Sequence, residues 1–139
     1  MSFTLDPRLA ADTIVIGDLA LSRLLLMNDA RFLWLVLVPR HENLGELFDL
    51  GEADRAILME EVAAVSKTVG GFPGVDKINV GALGNIVRQL HIHVVARSVD
   101  DAAWPGPVWG AGAPHRYEAH EARKIARDLK ERLNLIPIL

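Results

Sequence analysis

The sequence predicts an α+β fold, an antiparallel sheet of about five strands packed against two main helices. Three observations predict it. Apolar runs of strand length at 21–28 and 33–38 are joined only by Asp29-Ala30-Arg31 and its neighbours, too short a link for anything but a hairpin. Two longer segments, 54–69 and 116–133, carry helical rather than strand periodicity. The order is strands, helix, strands, helix, which does not suit the regular alternation of a parallel nucleotide-binding sheet.

Asp6-Pro7 reads as a cap followed by proline at the first helical position, opening a short helix through Ala11. Thr13-Ile14-Val15-Ile16-Gly17 reads as a short strand, followed by the hairpin pair, which Pro39-Arg40-His41-Glu42-Asn43 ends. In the segment 54–69, Leu58, Val62, Val65 and Val69 form one apolar stripe, with Glu60, Glu61 and Lys67 assigned to the solvated face. Gly70-Gly71 and Pro73 stop that helix. Lys77–Val80 and Gln89–Arg97 are the last two strands. The Trp104-Pro105-Gly106-Pro107-Val108-Trp109-Gly110 stretch is irregular, and the final helix carries Ala122, Ile125, Leu129 and Leu133 on one face. The stretch could form a lid that stacks on a base or reaches a partner subunit's site; the preferred expectation is a rigid surface loop with its two tryptophans packed on the sheet.

Composition narrows the function. The 139 residues fit one domain, 1–139, with no repeat or linker, and half of them are hydrophobic (50%), enough to bury a core. Lys and Arg number 15 against 18 for Asp and Glu, a formal charge of −3, so the basic surface that a nucleic-acid scaffold needs is missing. With no cysteine, disulfides, thiolate nucleophiles and Cys-type zinc or iron–sulfur sites are excluded. The opening Met1-Ser2-Phe3-Thr4-Leu5-Asp6 has no basic segment before an apolar core, and the longest apolar run, 32–39, is far below the ~20 residues that span a membrane. A soluble, cytoplasmic protein with no membrane partner is expected.

The chemistry is concentrated in Gln89-Leu90-His91-Ile92-His93-Val94-Val95-Ala96-Arg97. In a strand, Leu90, Ile92 and Val94 face the core while Gln89, His91 and His93 form a row on the other side, the imidazoles about 7 Å apart. Three readings compete: solvent-facing histidines with no task, two zinc ligands awaiting a third from His41, His115, His120 or a carboxylate, and nucleophilic imidazole catalysis. The loop before the strand, Asn79-Val80-Gly81-Ala82-Leu83-Gly84-Asn85-Ile86-Val87-Arg88, favours the last. Its glycines let backbone N–H groups approach an anion, and its Asn amides add donors. Phosphorus chemistry is the reading carried forward. Arg88 and Arg97 are assigned to solvent.

At this point the segment resembles the histidine triad (HIT) family of nucleotide hydrolases and transferases, whose motif His-φ-His-φ-His-φ-φ is matched by Gln89-Leu90-His91-Ile92-His93-Val94-Val95 with glutamine in the first place. Leu25-Leu26-Met27-Asn28-Asp29 resembles the family's ribose-binding strand, and Leu35-Val36-Leu37-Val38-Pro39-Arg40-His41 the strand that follows. The resemblance covers 3–97, leaving a Trp/Pro/Gly-rich loop and a helix in 98–139. It implies that His91 is the nucleophile, attacking the α-phosphorus of a purine nucleotide to form a nucleotidyl-histidine intermediate that water releases. His93 and Gln89 would assist, Asn79, Gly84 and Asn85 would hold the phosphate, and Asn28 and Leu26 the nucleoside. It further implies a homodimer with sheets joined across a two-fold axis; no cofactor is expected to be required, though a divalent metal could enter with the nucleotide. Three departures stand out: Gln89 for the first histidine, Trp34 where the family commonly has another, and Ile86 in place of a phosphate-binding hydroxyl. The loop between Gly81 and Gly84 is one residue short. Weak turnover, or a nucleotide-binding module without useful catalysis, is the alternative these departures motivate.

Overall fold

The computed structural model describes residues 3–136 and residue 138; Met1 and Ser2, the first two residues of the stretch read for an export signal, lie outside the described residues, as do Pro137 and Leu139. In chain order the elements are α1 (Pro7–Asp12), β1 (Thr13–Asp18), β2 (Ser22–Met27), β3 (Leu33–Pro39), a 3-10 turn (Leu47–Asp49), α2 (Glu52–Gly70), β4 (Lys77–Gly81), β5 (Ile92–Arg97) and α3 (Ala119–Leu133). The five strands form one antiparallel sheet in the order β1-β2-β3-β5-β4. No helix among the described residues is long and apolar enough to cross a membrane.

Local rules account for most boundaries. The Asp6 carboxylate accepts from the Arg8 backbone at 2.8 Å and Pro7 fills the first helical position of α1. Helix α3 begins at Ala119, later than the periodicity suggests, because Glu118 and Glu121 form a reciprocal capping box there. It ends at Asn134, whose φ of 51° is the left-handed conformation that stops helices.

Both faces of the sheet are covered. On one, Leu24, Leu26, Leu35, Leu37, Ile92, Val94 and Ala96 pack against Leu58, Val62, Val65 and Val69 of α2 and Ala126 and Leu129 of α3. On the other, Leu25, Trp34, Val36, Val38 and Val95 meet Leu9 of α1, Phe32 and Val108. Two-sided burial explains why β3 and β5 read as nearly continuous apolar runs rather than alternating ones.

Three assignments made from the sequence change. Strand β5 starts at Ile92, not Gln89: the Leu90 N–H leaves the ladder and donates to the Leu44 carbonyl at 2.9 Å. Glu61 is not part of a solvated helix face. It is buried, and its carboxylate accepts from the backbones of Leu21 and Ser22 at 2.7 and 3.1 Å, fixing the β1–β2 turn against α2. Arg97 is not solvated either. It is 1% exposed, bonded through Nε and Nη2 to both Asp101 oxygens at 2.7 and 3.0 Å and through Nη1 to Asn79 at 2.8 Å.

Candidate active site

His93 lies in the middle of the sheet, opposite Val36 on one side and Gly81 on the other, and its side chain shares the α1-side face with Trp34 and Val95. His91 precedes β5 on the same side, so the alternation expected for the histidine row holds although regular strand begins after it. The two rings meet edge to face with centroids 4.9 Å apart, and both are buried.

The hydrogen bonds fix what each ring can do. His91 Nδ1 lies 2.6 Å from the Gln89 carbonyl oxygen. A carbonyl only accepts, so Nδ1 carries a proton, and in the neutral ring Nε2 is the nitrogen with the lone pair. That is the form a nucleophilic imidazole needs. His93 has the opposite arrangement. The Trp34 indole N–H, which only donates, reaches His93 Nδ1 at 2.9 Å, so the neutral ring carries its proton on Nε2. Burial first, then the neighbouring His91, pushes His93 down to about 3.

Gln89 does not turn toward the histidines. Its amide Nε2 donates to the Thr4 carbonyl at 2.9 Å and its Oε1 accepts from the Asp6 N–H at 2.8 Å, fastening the segment before α1 to the sheet. Trp109, from the stretch read as a rigid loop or a lid, joins the histidine cluster. Its ring stands edge-on to His93 at 5.4 Å and to Trp34 at 6.4 Å. A Cβ on Gly81 would meet the Trp109 ring at 3.0 Å, so only glycine lets the indole lie this close to the sheet. The expectation that both tryptophans pack rather than project holds for Trp109. Trp104 covers the Arg97 guanidinium at 5.7 Å while staying partly exposed.

Two hollows bracket this cluster. One of about 260 Å³ is lined by His91, Gln89 and Leu90 together with Gly84 and Ala82 of the glycine loop and Gly45 to Phe48 of the segment opposite. Gly84 has φ +72° and turns the loop. Among the described residues, the backbone N–H groups of 83–88 find no acceptor, which leaves a run of donors beside His91. Asn85 is exposed in the same loop, and Arg8 of α1 steadies it by donating to the Ile86 carbonyl at 2.9 Å. The second hollow, about 200 Å³, is lined by Asn28, Asp12, Met27, Trp34, Val108 and Arg116 among others. Asn28 Oδ1 accepts from the Tyr117 N–H at 2.9 Å.

One residue expected at the site is elsewhere. Leu26 is fully buried on the helix side of the sheet, because its neighbours Leu25 and Met27 take the histidine face; Met27 lines the second hollow in its stead. Asn79 stays on the histidine face of the sheet, opposite Val95, and its side-chain Oδ1 accepts from Arg97 Nη1 at 2.8 Å. The zinc reading finds no third ligand: His41 pairs with Asp54 at 3.0 Å, and no cluster of three His, Cys, Asp or Glu suited to a metal occurs among the described residues.

The chain resembles known proteins over nearly its full length. The family model described as the HIT domain matches residues 8–100. A histidine triad protein from Bradyrhizobium japonicum is 44% identical with a TM-score of 0.92, covering 95% of this chain and 98% of its own. One from Sinorhizobium meliloti is 48% identical with a TM-score of 0.91, covering 94% and 96%. One from Marinobacter aquaeolei is 40% identical with a TM-score of 0.93, covering 96% and 98%. No curated protein matches.

Proposed function

The chain belongs to the HIT domain family, and from that premise we propose that it is a purine-nucleotide hydrolase or nucleotidyl transferase acting through His91. The observation that carries this reading is the bare Nε2 of a His91 whose Nδ1 is committed to a backbone carbonyl, beside a hollow edged by unpaired backbone N–H groups. The Nε2 lone pair attacks the α-phosphorus, the N–P bond forms, and the bond to the bridging atom breaks with its electron pair going to the departing group. Water then displaces His91 and releases the nucleoside monophosphate, or in a transfer reaction another acceptor displaces His91 and carries the nucleotidyl group away. Gly84, Asn85 and the amides around them support the phosphoryl oxygens, and His93 supplies an N–H donor from Nε2. The nucleoside occupies the hollow at Asn28 and Met27. No resident metal enters this scheme.

The test is to quench the reaction during turnover and to digest the protein for mass spectrometry. The peptide containing His91 is expected to gain one nucleoside monophosphate less water, in a linkage that acid cleaves and alkali spares. A label on any other residue, or turnover without a label, defeats the mechanism. A second reading, a nucleotide-binding module without useful catalysis, is favoured by Gln89, whose amide holds the N-terminal segment and gives His91 no side-chain support. Calorimetric binding of a monophosphate with no turnover would establish it.

A homodimer joined through β4 belongs to the same proposal. Strand β4 is an edge strand, and Val80, Met59 and Leu47 are exposed around an apolar groove that Leu58, Val62 and Ile92 floor. Sedimentation is expected to give a dimer for the natural chain and a monomer for Val80→Lys; an unchanged dimer excludes this edge.

A further inference from the structure

We propose that Trp34 is a positioning residue that holds His93 as a neutral Nε2–H donor, and that the site therefore releases groups that depart as weakly basic oxyanions in preference to amines. The second clause rests on the proposed reaction at His91; the first stands on geometry alone.

Trp34 and His93 are both buried, their ring centroids are 5.7 Å apart, and the indole N–H meets Nδ1 at 2.9 Å. An indole cannot accept, so this bond exists only while His93 Nδ1 is unprotonated. The surroundings give no reason for His93 to gain charge. Trp34, Trp109 and the backbone of Gly81 face it, and the one titratable ring against it is His91. Farther along the same face, the Arg97 guanidinium is matched by Asp101. Desolvation disfavours the charged ring, and a proton on His93 would be repelled by any charge on His91, so both effects hold His93 below its ordinary value.

A neutral imidazole with its proton on Nε2 can donate a hydrogen bond to a phosphoryl or bridging oxygen, but it is no source of a full proton. In the first step, the His91 Nε2 lone pair makes the N–P bond while the P–O bond breaks and the electron pair leaves on oxygen. A phosphate, diphosphate or carboxylate departs as it stands and needs no proton. An alkylamine leaving group must take one as the P–N bond breaks, and His93 in this state cannot give it.

Two measurements test the proposal on the full chain. Nitrogen-15 NMR of the histidine rings is expected to show His93 as the Nε2–H tautomer without titration from about pH 5 to 8. In Trp34→Phe, which keeps an apolar ring in place, the bonded Nδ1 signal is expected to vanish, with kcat falling about tenfold and KM little changed. His93 titrating normally in the natural chain, or carrying its proton on Nδ1, overturns the lock whether or not any nucleotide is turned over. For the leaving group, a dinucleoside polyphosphate is expected to be cleaved at least ten times faster than the matching nucleoside phosphoramidate of an alkylamine. Equal or faster release of the amine overturns the preference and leaves the reaction at His91 standing. Turnover of neither removes that reaction and the preference with it, while the NMR result still decides the lock.

Discussion

His91→Ala is expected to abolish turnover of both a dinucleoside polyphosphate and a nucleoside phosphoramidate, lowering kcat by about 10³-fold or more. The loss comes from deleting the atom that bonds to phosphorus, not from disturbing the sheet. His91 lies ahead of β5, and among the described residues its ring bonds to a carbonyl two residues earlier. Binding of a monophosphate should therefore survive, since the loop amides at 83–88 and the hollow at Asn28 remain. Added imidazole should restore part of the rate in His91→Gly by occupying the vacated space. Undiminished turnover in His91→Ala removes the nucleophile assignment outright.

Arg97→Met is expected to destabilise the fold by about 3–5 kcal/mol, read as a lower denaturant midpoint at unchanged slope. The substitution keeps most of the volume and removes the charge, leaving the Asp101 carboxylate, itself 7% exposed, without its partner. Asp101 also accepts from the backbones of Ser98, Ala103 and Trp104, so it organises the loop that brings Trp109 onto His93. Changes in tryptophan fluorescence should accompany the loss. Replacing both partners, Arg97→Met with Asp101→Leu, should cost less than Arg97→Met alone, because no charge is left buried. The pair also sets a pH dependence. The Arg97 hydrogen bonds hold Asp101 down to about 2, below its unfolded value. Its contribution is therefore complete above the unfolded carboxylate pKa near 4 and is lost as the pH falls toward 2. A single substitution with no effect on the midpoint refutes this account.

Strands 21–28 and 33–38, helix 54–69 and the alternation through the histidine segment were legible because each depends on side chains a few residues apart. Periods of two and of three to four declare themselves within one element. The same local logic misplaced Leu26, since the strand had apolar residues on both faces and its pattern did not say which one met the histidines. Glu61 and Arg97 were read as solvated because a charged residue on a helix's polar face or at a strand end usually is. Glu61's partners lie far off at the β1–β2 turn, and Arg97 is closed off by Asn79 of the neighbouring strand together with Asp101 of the following loop, which no strand or helix period describes.

The amino-acid sequence by itself determined the sheet, its hairpin, the helical stripes and the shared face of His91 and His93, all consequences of short-range pattern and side-chain chemistry. Only the tertiary structure decided the hydrogen-bond partners of the two rings, the diversion of Gln89 to the N-terminal segment and the tryptophans beside His93. Trp34 is 59 residues from His93, and Gln89 is 83 from Asp6. Contacts over such separations are set by strand order and register, which no local pattern encodes.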